Sequence, residues 1–308
     1  MKFAREAAGE HAALDMLGRS AVHVSLDHWL LVDAALLDER ILRSVSASLS
    51  LTMSNALCSS PLAVYGSRAP QFAHLPRDRD LALNLVRRLI AIDARAPAIS
   101  IICSTSSSDT LEHLFSYLAR ATIDGDLPVY CRFADTRVLP RLLAQLSGKQ
   151  AARVSLDVRS WSWVDHLGNT ESWQSPRDAP PSETDGDPHL SLSTLQLNAM
   201  LASSEPDTMF DLLLDNTPEL VPAKDRGHFR VRLSRILRSA DARSVEKPND
   251  RFQFVILGLG FGESFYANAN LTTTWRAIAA KQTTLVDAMK TWDDDVWKQL
   301  ETVEGEPP

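Results

Sequence analysis

The sequence predicts an α+β or α/β N-terminal lobe, with a mixed and partly parallel sheet flanked by helices, followed by an all-α C-terminal lobe. Three observations predict it. Short β-rich runs alternate with helical periodicities as far as Val164, a proline-rich polar stretch follows, and beyond it every apolar pattern has the helical period. The expected divisions are an α/β lobe over 1–175, a linker over 176–189 and a helical lobe over 190–304. With 308 residues, 44% hydrophobic and 23% charged, the chain has enough apolar material for two cores.

Taken in order, Val22-His23-Val24-Ser25-Leu26 alternates apolar and polar residues as a half-buried strand does, and Leu30 through Leu42 carries apolar residues at helical spacing. Pro61 to Tyr65 reads as another short strand. Asp78 or Asp80 caps a helix reaching Ile92, with Leu81, Leu85, Leu89 and Ile92 on one face. Ile99 to Cys103 returns to strand character. Ser108 or Asp109 opens a helix through Arg120 with Leu111, Leu114, Phe115 and Leu118 as its buried stripe, and Asp124-Gly125-Asp126 is a turn. Leu127 to Phe133 is a strand, after which Asp135 caps a Leu-rich helix that Ser147-Gly148 closes. Arg153 to Val164 alternates as strands do.

From Ser175 to His189, Pro176, Pro180, Pro181 and Pro188 stand among Ser, Asp, Glu and Gly, with Ala179 the only aliphatic residue. Nothing there can anchor to a core. Leu192, Leu195, Ala199 and Ala202 then mark one helix, and Phe210, Leu213 and Leu214 the next. Phe229, Leu233, Ile236, Leu237 and Ala240 give a third, and Phe252 to Phe261 is a buried helix. Leu285, Met289, Trp292, Val296 and Leu300 keep to one face of a final helix.

Charge and cysteine usage narrow the function. Before Pro180 there are 19 basic and 19 acidic residues, after it 13 and 20, so the net charge of −7 falls in the second part and no basic excess exists for nucleic acid. Cys58, Cys103 and Cys131 are widely spaced, which suits reduced thiols in a cytoplasmic protein. The first residues do not resemble a secretory signal, and the longest apolar run, Phe252 to Phe261, is about half of what a membrane span needs. No membrane insertion, metal or cofactor is expected.

No G-x-S-x-G, H-E-x-x-H or G-x-x-x-x-G-K-[ST] occurs. Gly258-Leu259-Gly260-Phe261-Gly262 lacks the dinucleotide spacing and reads as a closely packed helix end. Cys131, inside a strand, reads as a core thiol. Asp293-Asp294-Asp295 reads as a solvated acidic face, because consecutive helical residues diverge by about 100°. Arg226, Arg230, Arg235 and Arg238 give their helix a basic flank, read as solvent contacts or ion pairs. In Arg132-Phe133-Ala134-Asp135-Thr136-Arg137, the carboxylate of Asp135 accepts backbone N–H bonds as a structural turn and pairs with Arg132 or Arg137.

Asp124-Gly125 before a strand, then Arg132-Phe133-x-Asp135-x-Arg137-Val138-Leu139 and a Leu-rich helix ending near Gln150, resembles the signature of the domain of unknown function 4123 family. Leu26-Asp27, the Pro61 to Gly66 segment, Trp161-x-Trp163 and Leu195-Gln196-Leu197 fall in the family's order. Two positions depart from the pattern: Ala134 replaces an aromatic, and Thr136 replaces a proline suited to a first helical position. The resemblance implies a non-enzymatic adaptor, or chaperone, of a bacterial type VI secretion system. Such a protein binds a specific toxic effector in the cytoplasm and loads it onto the valine-glycine-repeat spike protein.

On that reading Arg132, Phe133, Arg137, Trp161, Trp163 and Trp173 are the candidate protein-binding residues, since aromatic and arginine side chains dominate interface energetics. Trp161 and Trp163 share one face of a strand, which is as a rule a core face. Two other classes remain open: a hydrolase or transferase assembled from distant residues such as Cys103, Asp109 and His113, and a structural component of the secretion baseplate.

Overall fold

The computed structural model describes residues 3–18, 26–37, 40–41, 51–93, 96–176 and 188–302. Val22–Ser25 of the expected strand and most of the expected linker lie outside these residues, and Leu26 is not in a strand. Contacts divide the chain into two compact units, Met1–Ser204 and Glu205–Pro308.

In the first unit, strands β1 (Asp27–Val32), β2 (Ser54–Asn55), β3 (Gln71–His74), β4 (Ile99–Ser104), β7 (Ser160–Val164) and β8 (Thr170–Gln174) form one sheet in the order β2-β3-β1-β4-β7-β8. All its pairings are antiparallel. A smaller sheet has the order β6-β5-β9, from β5 (Arg120–Ile123), β6 (Leu127–Tyr130) and β9 (Leu190–Leu192). Its β5–β9 pair is parallel, so the sheet structure is mixed, as expected, with parallel pairing confined to the small sheet.

Both faces of the large sheet are buried at its central strands. Trp29, Leu31, Ile102 and Trp161 point into one core with Leu111, Leu114, Phe115 and Leu118 of α3 (Ser108–Ala119) and Leu139, Leu142 and Leu143 of α4 (Leu139–Gln145). Leu30, Val32, Ile99 and Ile101 point into a second core with Ala12, Ala13 and Met16 of α1 (Ala12–Gly18) and Leu85, Val86 and Leu89 of α2 (Arg79–Asp93). A strand covered on both faces is apolar at every position. That is why Leu30 to Val32, expected to begin a helix running to Leu42, is the end of a strand in the structure.

Several local expectations are corrected. Pro61–Arg68 is a pair of 3-10 turns, not a strand: the Ser60 hydroxyl accepts from the Leu62 N–H, Pro61 occupies the first turn, and Gly66 kinks the middle at φ 54°. Asp78 caps α2 through the Leu81 N–H at 2.9 Å, but Leu81 itself is exposed. Ser147 does not close α4. It opens α5 (Gly148–Ser155) with a capping box in which its hydroxyl meets the Gln150 N–H and Gln150 Oε1 meets the Ser147 N–H, so Arg153 is helical.

Residues 190–204, expected at the head of the helical lobe, belong to the first unit. β9 pairs with β5, and Leu197 and Met200 pack on the first core. The two helices expected over 192–214 are one helix, α6 (Thr194–Asn216), with Pro206 inside it.

The second unit is helical throughout its described residues. It comprises the rest of α6, α7 (Arg226–Ala242), α8 (Pro248–Gly260), α9 (Thr272–Ala279), α10 (Leu285–Met289) and α11 (Asp294–Thr302). The expected stripe on α7 is buried from Phe229 to Ala240. Gly258 packs α8 closely onto α7, because a Cβ there would lie 3.0 Å from Ile236 Cγ2. The single final helix is in fact two, α10 and α11. Asp293 caps the second by accepting from the Val296 N–H, which gives the acidic run a place at a positive helix end. The basic flank of α7 is paired: Arg230 with Asp207 at 2.8 Å, and Arg235 with Glu263 at 2.7 Å.

Candidate functional site

The segment between β6 and α4 is a tight turn pinned at every level. The Cys131 N–H donates to the Ala119 carbonyl, the Asp135 N–H to Arg132, the Thr136 N–H to Pro97, and the Val138 and Leu139 N–H groups both to the Asp135 carbonyl. Phe133 is fully buried, stacked on Phe115 at 5.5 Å and edge-on to Trp161 at 6.3 Å. The turn is therefore nailed to the first core by its aromatic residue.

Around that nail lie four charges. The Arg137 guanidinium grips Asp135 with Nε at 3.1 Å and Nη2 at 2.8 Å, and stands over the Phe3 ring at 4.8 Å. Arg132 Nη2 lies 2.8 Å from Asp33 Oδ2 and 3.9 Å from Asp135 Oδ2. Both carboxylates are buried, and Asp33 also accepts from the Ala35 N–H at the start of a 3-10 turn. Burial raises the Asp33 pKa above the usual carboxylate range. The adjacent Arg132 charge opposes that rise, and Asp135 adds to it.

Asp135 shapes the turn but is not the cap of α4. Its Oδ1 accepts the Arg137 N–H at 2.9 Å, and the helix begins only at Leu139, with Pro140 in its first turn. Thr136 is therefore not at a first helical position, and its N–H makes a bond that proline could not make. Ala134 is fully buried, so the place of the missing aromatic is interior in this chain.

Of the six candidate binding residues, Phe133, Trp161 and Trp163 are buried in the first core, where their burial excludes direct surface contact. Trp161 Nε1 donates to Ser100 Oγ at 2.9 Å across β7 and β4. Trp173 is half-buried and lies beside Trp161 in the β7–β8 register. Arg132 and Arg137 are partly exposed.

Sequence reasoning did not single out Asp33, Val64, Tyr65 or Tyr130. Tyr65 and Tyr130 come together with ring centroids 5.3 Å apart. The Tyr130 hydroxyl is pushed up to about 12 by burial first, with the nearby Asp33 charge adding to it. The available signal was an aromatic at the end of a short strand two residues before an arginine; the contact to Tyr65 has no local trace.

The residues of the enzymatic alternative lie apart in character. Cys103 is buried on β4, whereas His113 is exposed on α3 with its Nδ1 2.7 Å from the Asp109 carbonyl rather than the carboxylate. Cys131 is a buried thiol, raised to about 12 by that burial. Among the described residues no group of three or more His, Cys, Asp or Glu is placed to hold a metal, and no helix is long and apolar enough to cross a membrane.

Comparison with known proteins finds one family. No significant match was found among curated proteins or solved structures. The family model described as "Domain of unknown function (DUF4123)" matches residues 28–153, which hold β1 from His28 on, Asp33, the Tyr65 segment and the whole Arg132–Arg137 turn. Residues 28–153, less than half of the chain, are therefore what is similar to the DUF4123 family.

Proposed function

We propose that this protein is a non-enzymatic adaptor that binds a specific toxic effector in the cytoplasm and loads it onto the valine-glycine-repeat spike of a type VI secretion system. The observation that carries the reading is the Arg132–Arg137 turn: it falls inside the DUF4123 match, and buried aromatic and carboxylate groups hold it in a single conformation. A pre-formed turn suits recognition, because no ordering cost is left to meet when a partner docks. Arg132 and Arg137, partly exposed at its rim, are the family-signature side chains that a partner can reach.

Co-purification tests this. The chain is co-expressed with a toxic effector and the valine-glycine-repeat spike protein of its source genome, and the eluate is weighed by light scattering. A stoichiometric complex with the effector that persists at moderate salt is expected. Capture of neither protein, or turnover of a small compound that a single substitution abolishes, would overturn it.

A further inference from the structure

β6 is the outer strand of the small sheet among the described residues. Its hydrogen-bonding polarity follows from two bonds at its borders. The Cys131 N–H donates to the Ala119 carbonyl, so in the antiparallel register Val129 and Leu127 turn their main-chain groups toward β5, and Pro128 and Tyr130 turn theirs outward. The Asp124 N–H donates to Leu192 on β9, which fits the same alternation seen from β5. Pro128 thus lacks an N–H where the sheet has no use for one, and it denies a long ladder to any added strand. The outward groups that remain are the Tyr130 N–H and carbonyl and the Pro128 carbonyl.

Side chains beside this short edge are apolar and exposed. Tyr65 is 46% exposed and Tyr130 38%, with their rings in contact, and Val64, next to Tyr65 in the chain, is 83% exposed. Arg132 follows at the end of the strand with its side chain 37% exposed. Only its Nη2 is engaged, by Asp33 and Asp135, so Nε and Nη1 have no partner among the described residues. The Nε–H lies on the edge it shares with the engaged Nη2, so Nη1, with two N–H groups, is the nitrogen left to donate to a further carboxylate.

We propose that the β6 edge, the Tyr65–Tyr130 pair and Arg132 form the docking site for a short extended segment of the cargo, one carrying an apolar side chain next to a carboxylate. This rests on the adaptor reading and adds to it where the cargo binds and by what chemistry. Main-chain bonds at Tyr130 set the direction of the segment, the tyrosine pair takes its apolar side chain, and Arg132 takes the acid. A second copy of the chain fits less well, because Pro128 would then withhold a donor from both edges.

The test uses the full chain and the full-length effector that co-purifies with it, titrated by calorimetry. Val64→Asp and Tyr65→Ala alter exposed positions, so an unchanged melting temperature is the check on folding. Each is expected to weaken binding by at least about tenfold. A photo-crosslinker at position 64 is expected to mark an effector segment whose Asp or Glu residues, changed to amides, cause a similar loss. Tight wild-type binding that both variants retain would overturn the docking site and leave the adaptor reading standing. Absence of wild-type binding would overturn both. A concentration-dependent dimer lost in Val64→Asp, with effector affinity unchanged, would give the patch to a second copy and likewise overturn the proposal.

Discussion

Arg132 and Asp33, 99 positions apart, are joined at 2.8 Å, and that bond ties the end of the central strand β1 to the signature turn. The pair is asymmetric: the Asp33 carboxylate is almost completely buried, while the Arg132 side chain keeps a third of its surface in water. Removing one partner therefore differs from removing the other. The arginine without its acid can be hydrated, but the acid without its arginine is a buried charge.

Arg132→Ala is accordingly expected to cost about 1–3 kcal/mol, reduced from a fully buried case by the exposure of the arginine. Asp33→Asn keeps an oxygen to accept the Ala35 N–H and removes the buried charge, so it is expected to cost less than about 1 kcal/mol. Urea unfolding of both variants checks the order. A larger loss for Asp33→Asn would show that the ion pair itself, and not desolvation, governs the site.

A second prediction concerns Gly168, in the loop between β7 and β8. Its φ is 83°, and a Cβ there would lie 2.1 Å from the Ala7 carbonyl oxygen, where the N-terminal segment runs along the loop and the Gly9 N–H donates to Gly168. Gly168→Ala faces both the left-handed backbone cost, about 1–2 kcal/mol, and a clash with main chain that cannot rotate away. Deleting residues 1–9 removes the clash and leaves the backbone cost. Thermal unfolding should therefore show a smaller Gly168→Ala penalty in the shortened chain; equal penalties would mean that the N-terminal segment does not press on the loop.

Much of this architecture was legible in the sequence, and what depends on sheet order was not. The α3 stripe of Leu111, Leu114, Phe115 and Leu118 faces one core and solvent on its other side, so its period is plain. β1 is buried on both faces, so its residues show no strand alternation and Leu30 to Val32 reads as part of the helical run up to Leu42. The Asp135–Arg137 pair was legible because both residues sit in one turn. Asp33 with Arg132, and Tyr65 with Tyr130, were not, because sheet order brings them together and local pattern holds no record of sheet order. Trp161 and Trp163 share a strand face, as read, and that face belongs to the core.

In the second unit, stability should concentrate on Arg251. Its side chain is 12% exposed and bonds Glu205 on α6, Asp241 on α7 and the Val245 carbonyl beyond α7. Burial works to lower its pKa, but the hydrogen bonds it donates to these acids, and their charges, raise it above the usual value, so the guanidinium stays charged. Arg251→Met fills the volume but leaves Glu205 without its cation, at a cost of about 3 kcal/mol. Adding Glu205→Leu should restore part of that loss. A double variant no more stable than the single one would place the contribution of Arg251 in packing alone.

The last prediction follows from His28 on β1. Burial lowers its pKa below 6.5, the charge of His74 acts in the same direction, and Asp27 opposes both. Its Nε2 is buried with no partner among the described residues, so the neutral ring is the form the fold accommodates. With the folded pKa below the unfolded one, the unfolded chain binds more protons between them. The stabilising effect is complete above pH 6.5 and is lost as pH falls from there toward the folded pKa. Asp27 does not enter this window. Burial would raise its pKa, but hydrogen bonds from His74 and Arg77 outweigh it and bring it below 3.8, so its contribution fades only in stronger acid. In urea unfolding between pH 7.5 and 5.5, the wild type is expected to lose stability relative to His28→Leu, by at most about 1.4 kcal/mol per pH unit. A difference between the two proteins that stays constant across that range would show that His28 has the same proton affinity folded and unfolded.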